Sequence, residues 1–277
     1  MEKLFKQVAI VVDQDDALVK NLENLVSLTR EWQSSFHLIY VVERPAFSFK
    51  NIWKGYANGR TQPFDTAEHR LKEYQEKLKK LLPEGTRIHC YCKEGKPLWL
   101  IRNYIHENQI DLLLLLQSGS RFKRQPIRFS QLVGKINCPM IMVPLHKKDY
   151  DFKNIVLPIS HELPLKKIMI ASFLAGKKND ARIHLLALQE QDAKRQRTEN
   201  PYLFKTYQLI RDNTTLTVEC HPVDGDNLAA PTLEYARKVN ADLILVKPGS
   251  ETSPPGIFHR LLSKFNFSSS GIPVMTI

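Results

Sequence analysis

The sequence predicts an α/β protein of two tandem domains, each a parallel sheet covered by helices on both faces. Three observations predict it. The 277 residues suffice for two domains of ordinary size. Short, nearly continuous apolar runs alternate with stretches of helical periodicity, the pattern of strands buried on both faces. That alternation then occurs a second time in the same order.

The elements follow one another in step. Val8–Asp13 (VAIVVD) is an apolar run ending in a polar turn, and Leu18, Leu22, Leu25 and Leu28 after it share one helix face. Phe36–Val42 reads as the second strand. The pattern restarts at Asn154–Ser160, with Leu165, Ile168, Met169 and Phe173 at helical spacing, Gly176 as a helix stop, and Ala181–Leu188 as the next strand. Second helices are expected over residues 65–82 and 200–212, and third strands over Thr86–Cys92 and Leu216–Pro222. Helices near Leu98–His106 and Leu228–Val239 lead into fourth strands at Asp111–Leu116 and Asp242–Val246. Each half closes on a short helix and a proline-introduced strand, Cys138–Val143 and Ile272–Ile277. The polar stretch His146–Lys153 sets the boundary, giving domains 1–148 and 149–277.

Composition excludes several classes. A hydrophobic fraction of 43% with 25% charged residues is that of a folded globular chain rather than a disordered one. The longest apolar run, Leu112–Leu116, is far short of the roughly 20 residues that span a bilayer, so no membrane span is expected. The first residues, MEKLFKQVAIVVDQDD, run into acids without a small-residue cleavage site, so no signal peptide is read. Four cysteines, Cys90, Cys92, Cys138 and Cys220, are too few for a disulfide framework and suit a reducing cytoplasm. The net charge of +11 is uneven: residues 1–148 carry 24 Lys and Arg against 15 Asp and Glu, residues 149–277 carry 16 against 14. Without clustered recognition motifs, the excess reads as solvated surface and no nucleic-acid partner is predicted.

The Asp-ending first strand, the ADL-type fourth strand (ADLILV) and the proline-introduced ends INCPMIMVP and GIPVMTI together resemble the universal stress protein family, once in each half. The resemblance implies Rossmann-like (adenine nucleotide alpha hydrolase-like) domains, each a five-stranded parallel sheet of order 3-2-1-4-5, with last strands pairing between domains. In a tandem chain that pairing falls within one molecule and removes exposed sheet edges. Members that bind ATP use the crevice at the carboxyl ends of strands one and four, where strand connections run in opposite directions. There an Asp after strand one contacts the nucleoside. A Gly-x-x-Gly-x9-Gly-Ser/Thr segment after strand four wraps the phosphates, because glycine leaves backbone amides open to an anion.

Neither half keeps that segment. In the first, Asp13 and Gly119 match, but Leu116 takes the first glycine position. Counting forward puts Phe129 and Ser130 at the Gly-Ser pair; counting back from Cys138-Pro139 puts Pro126 and Ile127 there. In the second, Ser160 stands at the Asp position, Lys247 and Ser250 at the first two glycines despite Gly249 beside them, and Arg260 and Leu261 at the last pair. Gly256 suits a Pro254-Pro255-Gly256 turn.

Other features admit two readings each. The basic loop with Arg121, Lys123, Arg124 and Arg128 is either solvated surface or a side-chain substitute for the lost amides. Phe47, Phe49, Trp53, Tyr56 and Phe64, in the long connection after the second strand, either pack locally or cover a ligand. Cys90 and Cys92 share a strand face and are read as buried structural thiols, and Cys138 and Cys220 as core positions. His221–Asp226 is read as a strand-to-helix turn, and Lys194–Arg197 as the approach to a surface helix.

The expectation is a non-catalytic cytoplasmic binding or regulatory protein of the stress-response type, with no catalytic residues, no metal and no cofactor. The alternative is a nucleotide- or anionic-metabolite-binding protein using Asp13, Gly119, Ser130, Arg121 and Arg124. A homodimer, a regulatory protein partner and a trans role at a cation antiporter stay open. A hydrolase or transferase rests on fold analogy alone.

Overall fold

The computed structural model describes residues 4–12, 22–23, 25–26, 29, 32, 33–43, 62–117, 132, 135–144, 151–160, 162–177, 179–191, 197–198, 200–224, 228–247 and 271–277. The chain divides into two compact units, Met1–Cys138 and Pro139–Ile277. The division falls ten residues before the boundary after residue 148 that the sequence suggests.

In the first unit, β1 (Gln7–Val12) lies between β2 (Ser35–Glu43) and β4 (Leu112–Gln117), and β3 (Ile88–Gly95) pairs with β2. All three pairings are parallel, giving the order 3-2-1-4. β1 and β4 can be apolar almost throughout because both their faces are covered: Val8, Ala9, Leu112, Leu113 and Leu114 are fully buried. Helix α1 (Gln62–Leu81) packs on β2 and β3, and α2 (Pro97–Glu107) on β2. α1 begins at Gln62, so its first turn takes in Phe64 from the aromatic connection. Phe47, Phe49, Trp53 and Tyr56 lie outside the described residues, as do Leu18 and Leu28. Leu22 and Leu25 are buried as expected.

The second unit repeats the plan. β6 (Asn154–Ile159) lies between β7 (Arg182–Leu188) and β11 (Leu243–Val246); β10 (Thr217–Val223) pairs with β7 and β12 (Val274–Thr276) with β11, all parallel. The order is therefore 3-2-1-4-5, the α/β fold class that the sequence predicts. β5 (Met140–Pro144) belongs to this unit: it pairs antiparallel with β12, with Met142 opposite Val274 and Met140 opposite Thr276. The last strands of the two repeats thus cover each other's edges. A short antiparallel pair, β8 (Glu190–Gln191) and β9 (Arg197–Thr198), follows β7, so Arg197 approaches the helix that starts at Pro201 on a short strand.

Helices α3 (Leu165–Ala175), α4 (Pro201–Asn213) and α5 (Ala229–Lys238) cover the second sheet. α3 corrects the sequence reading of its inner face. Met169 is 64% exposed and Leu165 is exposed too, while Lys167, Ile168, Ala171 and Leu174 point inward. The reason is a backbone acceptor. β11 pairs with β6 only at Ile155 and Val156, and further along β6 the Lys167 ammonium donates to the Pro158 carbonyl at 2.7 Å. Burying that lysine turns the helix away from the purely apolar phase.

The cysteines correct it as well. Cys138 is buried, but Cys90 and Cys220 are exposed and Cys92 is half-buried. β3 and β10 are the outermost strands of their units, and each therefore has less covering than a central strand. Burial still pushes the Cys92 thiol up to about 11, helped by Glu68, so it stays protonated at neutral pH.

Candidate functional site

The crevice expected from topology lies at the carboxyl ends of the first and fourth strands of each unit. In the second unit its walls are described. Ser160 follows β6 and is buried, with its carbonyl accepting from the Asn200 side-chain amide at 3.2 Å. Asn200 also caps α4, its side-chain oxygen accepting from the Tyr202 amide at 2.9 Å. Pro201 follows at the first helical position, where its missing N–H is no loss. One buried asparagine thus ties a helix start to the end of the central strand.

Across from it, Lys247 follows β11 directly. Its ammonium donates to Glu162 Oε1 at 2.6 Å, joining the segments that follow β6 and β11. The pair is partly open to water, at 45% and 43% exposure, so it is worth at most about 1 kcal/mol. Its chemical effect is larger than its energy. Where a phosphate-binding loop would offer bare amides, the cation here already has a counter-ion, and the Glu162 carboxylate repels a second anion.

Of the residues predicted to bind a ligand in the first half, Asp13, Gly119, Arg121, Arg124 and Ser130 all lie outside the described residues. So do Gly249, Ser250, Gly256, Arg260 and Leu261 of the second. The structure brings together Ser160, Asn200, Glu162 and Lys247, of which sequence reasoning named only Ser160 and Lys247. Glu162 was legible only as an acid two residues past a strand end.

A second constellation occurs near the amino ends of the strands, once per unit. In the first, buried His37 on β2 has Nε2 2.9 Å from Gln7 Oε1 and Nδ1 2.9 Å from the Tyr104 hydroxyl. The amide oxygen can only accept, so Nε2 carries the proton and Nδ1 accepts from the tyrosine. Burial, with His89 stacked 4.7 Å away, lowers the His37 pKa to about 4. In the second unit, His184 on β7 repeats this: Nε2 lies 3.3 Å from Asn154 Oδ1 and Nδ1 3.1 Å from the Tyr235 hydroxyl. Here Glu219 and His221 of β10 join the group; His221 lies within the expected third strand Leu216–Pro222, which runs on to Val223 instead of turning at His221.

Burial lowers the His184 pKa against the opposing pull of Glu219. For Glu219 burial pushes upward, but His184, His221 and Arg182 together hold its carboxyl below the usual range. Sequence reading missed this group because it is assembled from β6, β7, β10 and α5. The one signal available was His37 and His184 at the same place in the two repeats.

Comparison with known proteins places the architecture. No family model matches the sequence, and no curated protein matches it either. Among solved structures, the chain is similar to a universal stress protein from Archaeoglobus fulgidus DSM 4304: 13% identity, 99% of this chain and 97% of that one, TM-score 0.66. It is also similar to a functionally unknown protein, PA1789, from Pseudomonas aeruginosa PAO1: 13% identity, 99% and 92% covered, TM-score 0.57. At these identities the likeness is one of backbone architecture, and the chain has the fold of the universal stress proteins.

Proposed function

We propose that the protein is a non-catalytic binding and regulatory module of the universal stress type, acting in the cytoplasm in a stress response without binding ATP in the usual way. The observation that carries this is the Glu162–Lys247 pair at 2.6 Å across the ends of β6 and β11. A triphosphate entering there must break an ion pair and meet a carboxylate, with Ser160 where nucleotide-binding relatives place an Asp. Side chains at the glycine positions also deny it the amide nest that solvates phosphate. No helix among the described residues is long and apolar enough to cross a membrane, which accords with this reading.

Calorimetric titration of the full chain with ATP and magnesium tests it. No saturable heat at micromolar protein is expected, and a phosphate-release assay should give no turnover. Micromolar binding at one ATP per chain would overturn the reading. Its loss on replacing Asp13 would assign that binding to the first half.

A further inference from the structure

We propose that His184, Glu219 and His221 form a binding site for a divalent transition ion of the zinc type, on the β7–β10 side of the second unit. This site needs neither the crevice nor a nucleotide. The three side chains present one ligand atom each, all within 4.8 Å of one another. Glu219 Oε2 lies 3.3 Å from His184 Nδ1 and 3.3 Å from His221 Nε2. A tetrahedral ion with bonds of about 2.0–2.1 Å sets its ligands about 3.3–3.4 Å apart. Two edges of the site therefore already have the required length, and only the histidine–histidine edge must close.

The outer partners aim the inner atoms. Asn154 Oδ1 takes the Nε2 proton of His184, so Nδ1 keeps its lone pair, which accepts from the Tyr235 hydroxyl and is available to an ion held with Glu219. Arg182 donates to Glu219 Oε1 at 3.0 Å, holding the carboxylate so that Oε2 turns to both histidines. The Tyr235 hydroxyl, 2.5 Å from His221 Nε2 and 3.1 Å from His184 Nδ1, bonds both nitrogens and must draw back from His221 for an ion with a water or hydroxyl as fourth ligand to seat between them. Access is graded: His184 is 3% exposed, while Glu219 and His221 are each 32% exposed. An ion can enter from water and end on a buried nitrogen. Two imidazoles and one carboxylate suit zinc or cobalt better than calcium or magnesium, which prefer oxygen.

The first unit supplies a built-in contrast. At the positions of Glu219 and His221 relative to the buried histidine, it carries His89 and Tyr91. The His37 frame is retained there without the carboxylate.

Zn2+ titrated calorimetrically into the purified full chain should bind at one ion per chain. Co2+ should give the visible spectrum of a tetrahedral nitrogen–oxygen site, with no thiolate charge-transfer band. Glu219→Gln and His221→Ala, both on half-exposed side chains, should each weaken binding at least tenfold and abolish the rise in Tm on adding Zn2+. His89→Ala should leave both unchanged. Absence of binding to the wild-type chain, a cobalt spectrum dominated by thiolate, or affinity unaffected by both substitutions would overturn the assignment. Circular dichroism of each variant separates loss of ligand from loss of fold.

Discussion

The two units repeat each other where their strands begin and part company on their outermost strands. At the amino ends, Asp111 accepts from the Lys6 and Gln7 amides, and Asp242 from those of Lys153 and Asn154. A buried histidine, a helix tyrosine and a first-strand amide recur in both. Left-handed residues recur as well, Gln33 and Asp180 before the second strands, Gln109 and Asn240 after the helices that precede the fourth. On the outermost strand, Glu219 and His221 of the second unit stand where the first carries His89 and Tyr91. The lesson is one of division of labour: contacts that start strands in register hold the sheet, while the outermost strand can change its side chains without disturbing them.

The largest expected break in this symmetry is with acid. His37 has a folded pKa of about 4 against an ordinary 6.5, so the unfolded chain binds the proton first. Stability is full above the unfolded value, falls as pH drops through 6.5, and has lost about 3 kcal/mol by pH 4. His184 acts in the same direction, but Glu219 beside it favours the charged ring, so it should titrate above His37. Urea denaturation between pH 7.5 and 4 should show the slope, and His37→Asn should flatten it. Equal NMR titration midpoints for His37 and His184 would deny the distinction drawn between the units.

A smaller effect tests their likeness. Asp111→Ala removes a carboxylate that accepts two amides at 2.7 and 2.8 Å; Asp242→Ala removes one that accepts at 3.0 and 3.1 Å. Each loss should cost about 2 kcal/mol, with the shorter pair in the first unit costing more. Chemical denaturation measures both. A neutral result for either would mean that solvent replaces the brace and that its recurrence carries no structural meaning.

Most of the fold was legible and most of the site was not. Strand and helix placement agreed within a few residues because apolar runs such as Leu112–Leu116 and Leu243–Val246 are unbroken, and burial on both faces demands that. The phase of α3 was misread because Lys167 looks like a surface residue until its carbonyl partner on β6 is known. Cys90 and Cys220 were misread because a strand's place at the outside of a sheet is not written in its own residues. The His184 group needs four separate elements brought together, and only the tertiary fold supplies that.

The smallest expected effect concerns the turns. Gln109 and Asn240 both have φ of 49°, which strains a side chain, and each starts the return from helix to fourth strand. The bonds there match: Gln109 N–H to the His106 carbonyl and Asn240 N–H to that of Arg237, then Ile110 to Ile105 and Ala241 to Ala236. Glycine relieves the strain but gives the unfolded chain more freedom, so the net gain is below the full relief. Gln109→Gly should stabilise by about 0.5–1 kcal/mol. Asn240→Gly should gain less, because asparagine already tolerates this conformation. Denaturant midpoints would resolve the difference, and a loss of stability at Gln109 would show that its side chain contributes more than its backbone costs.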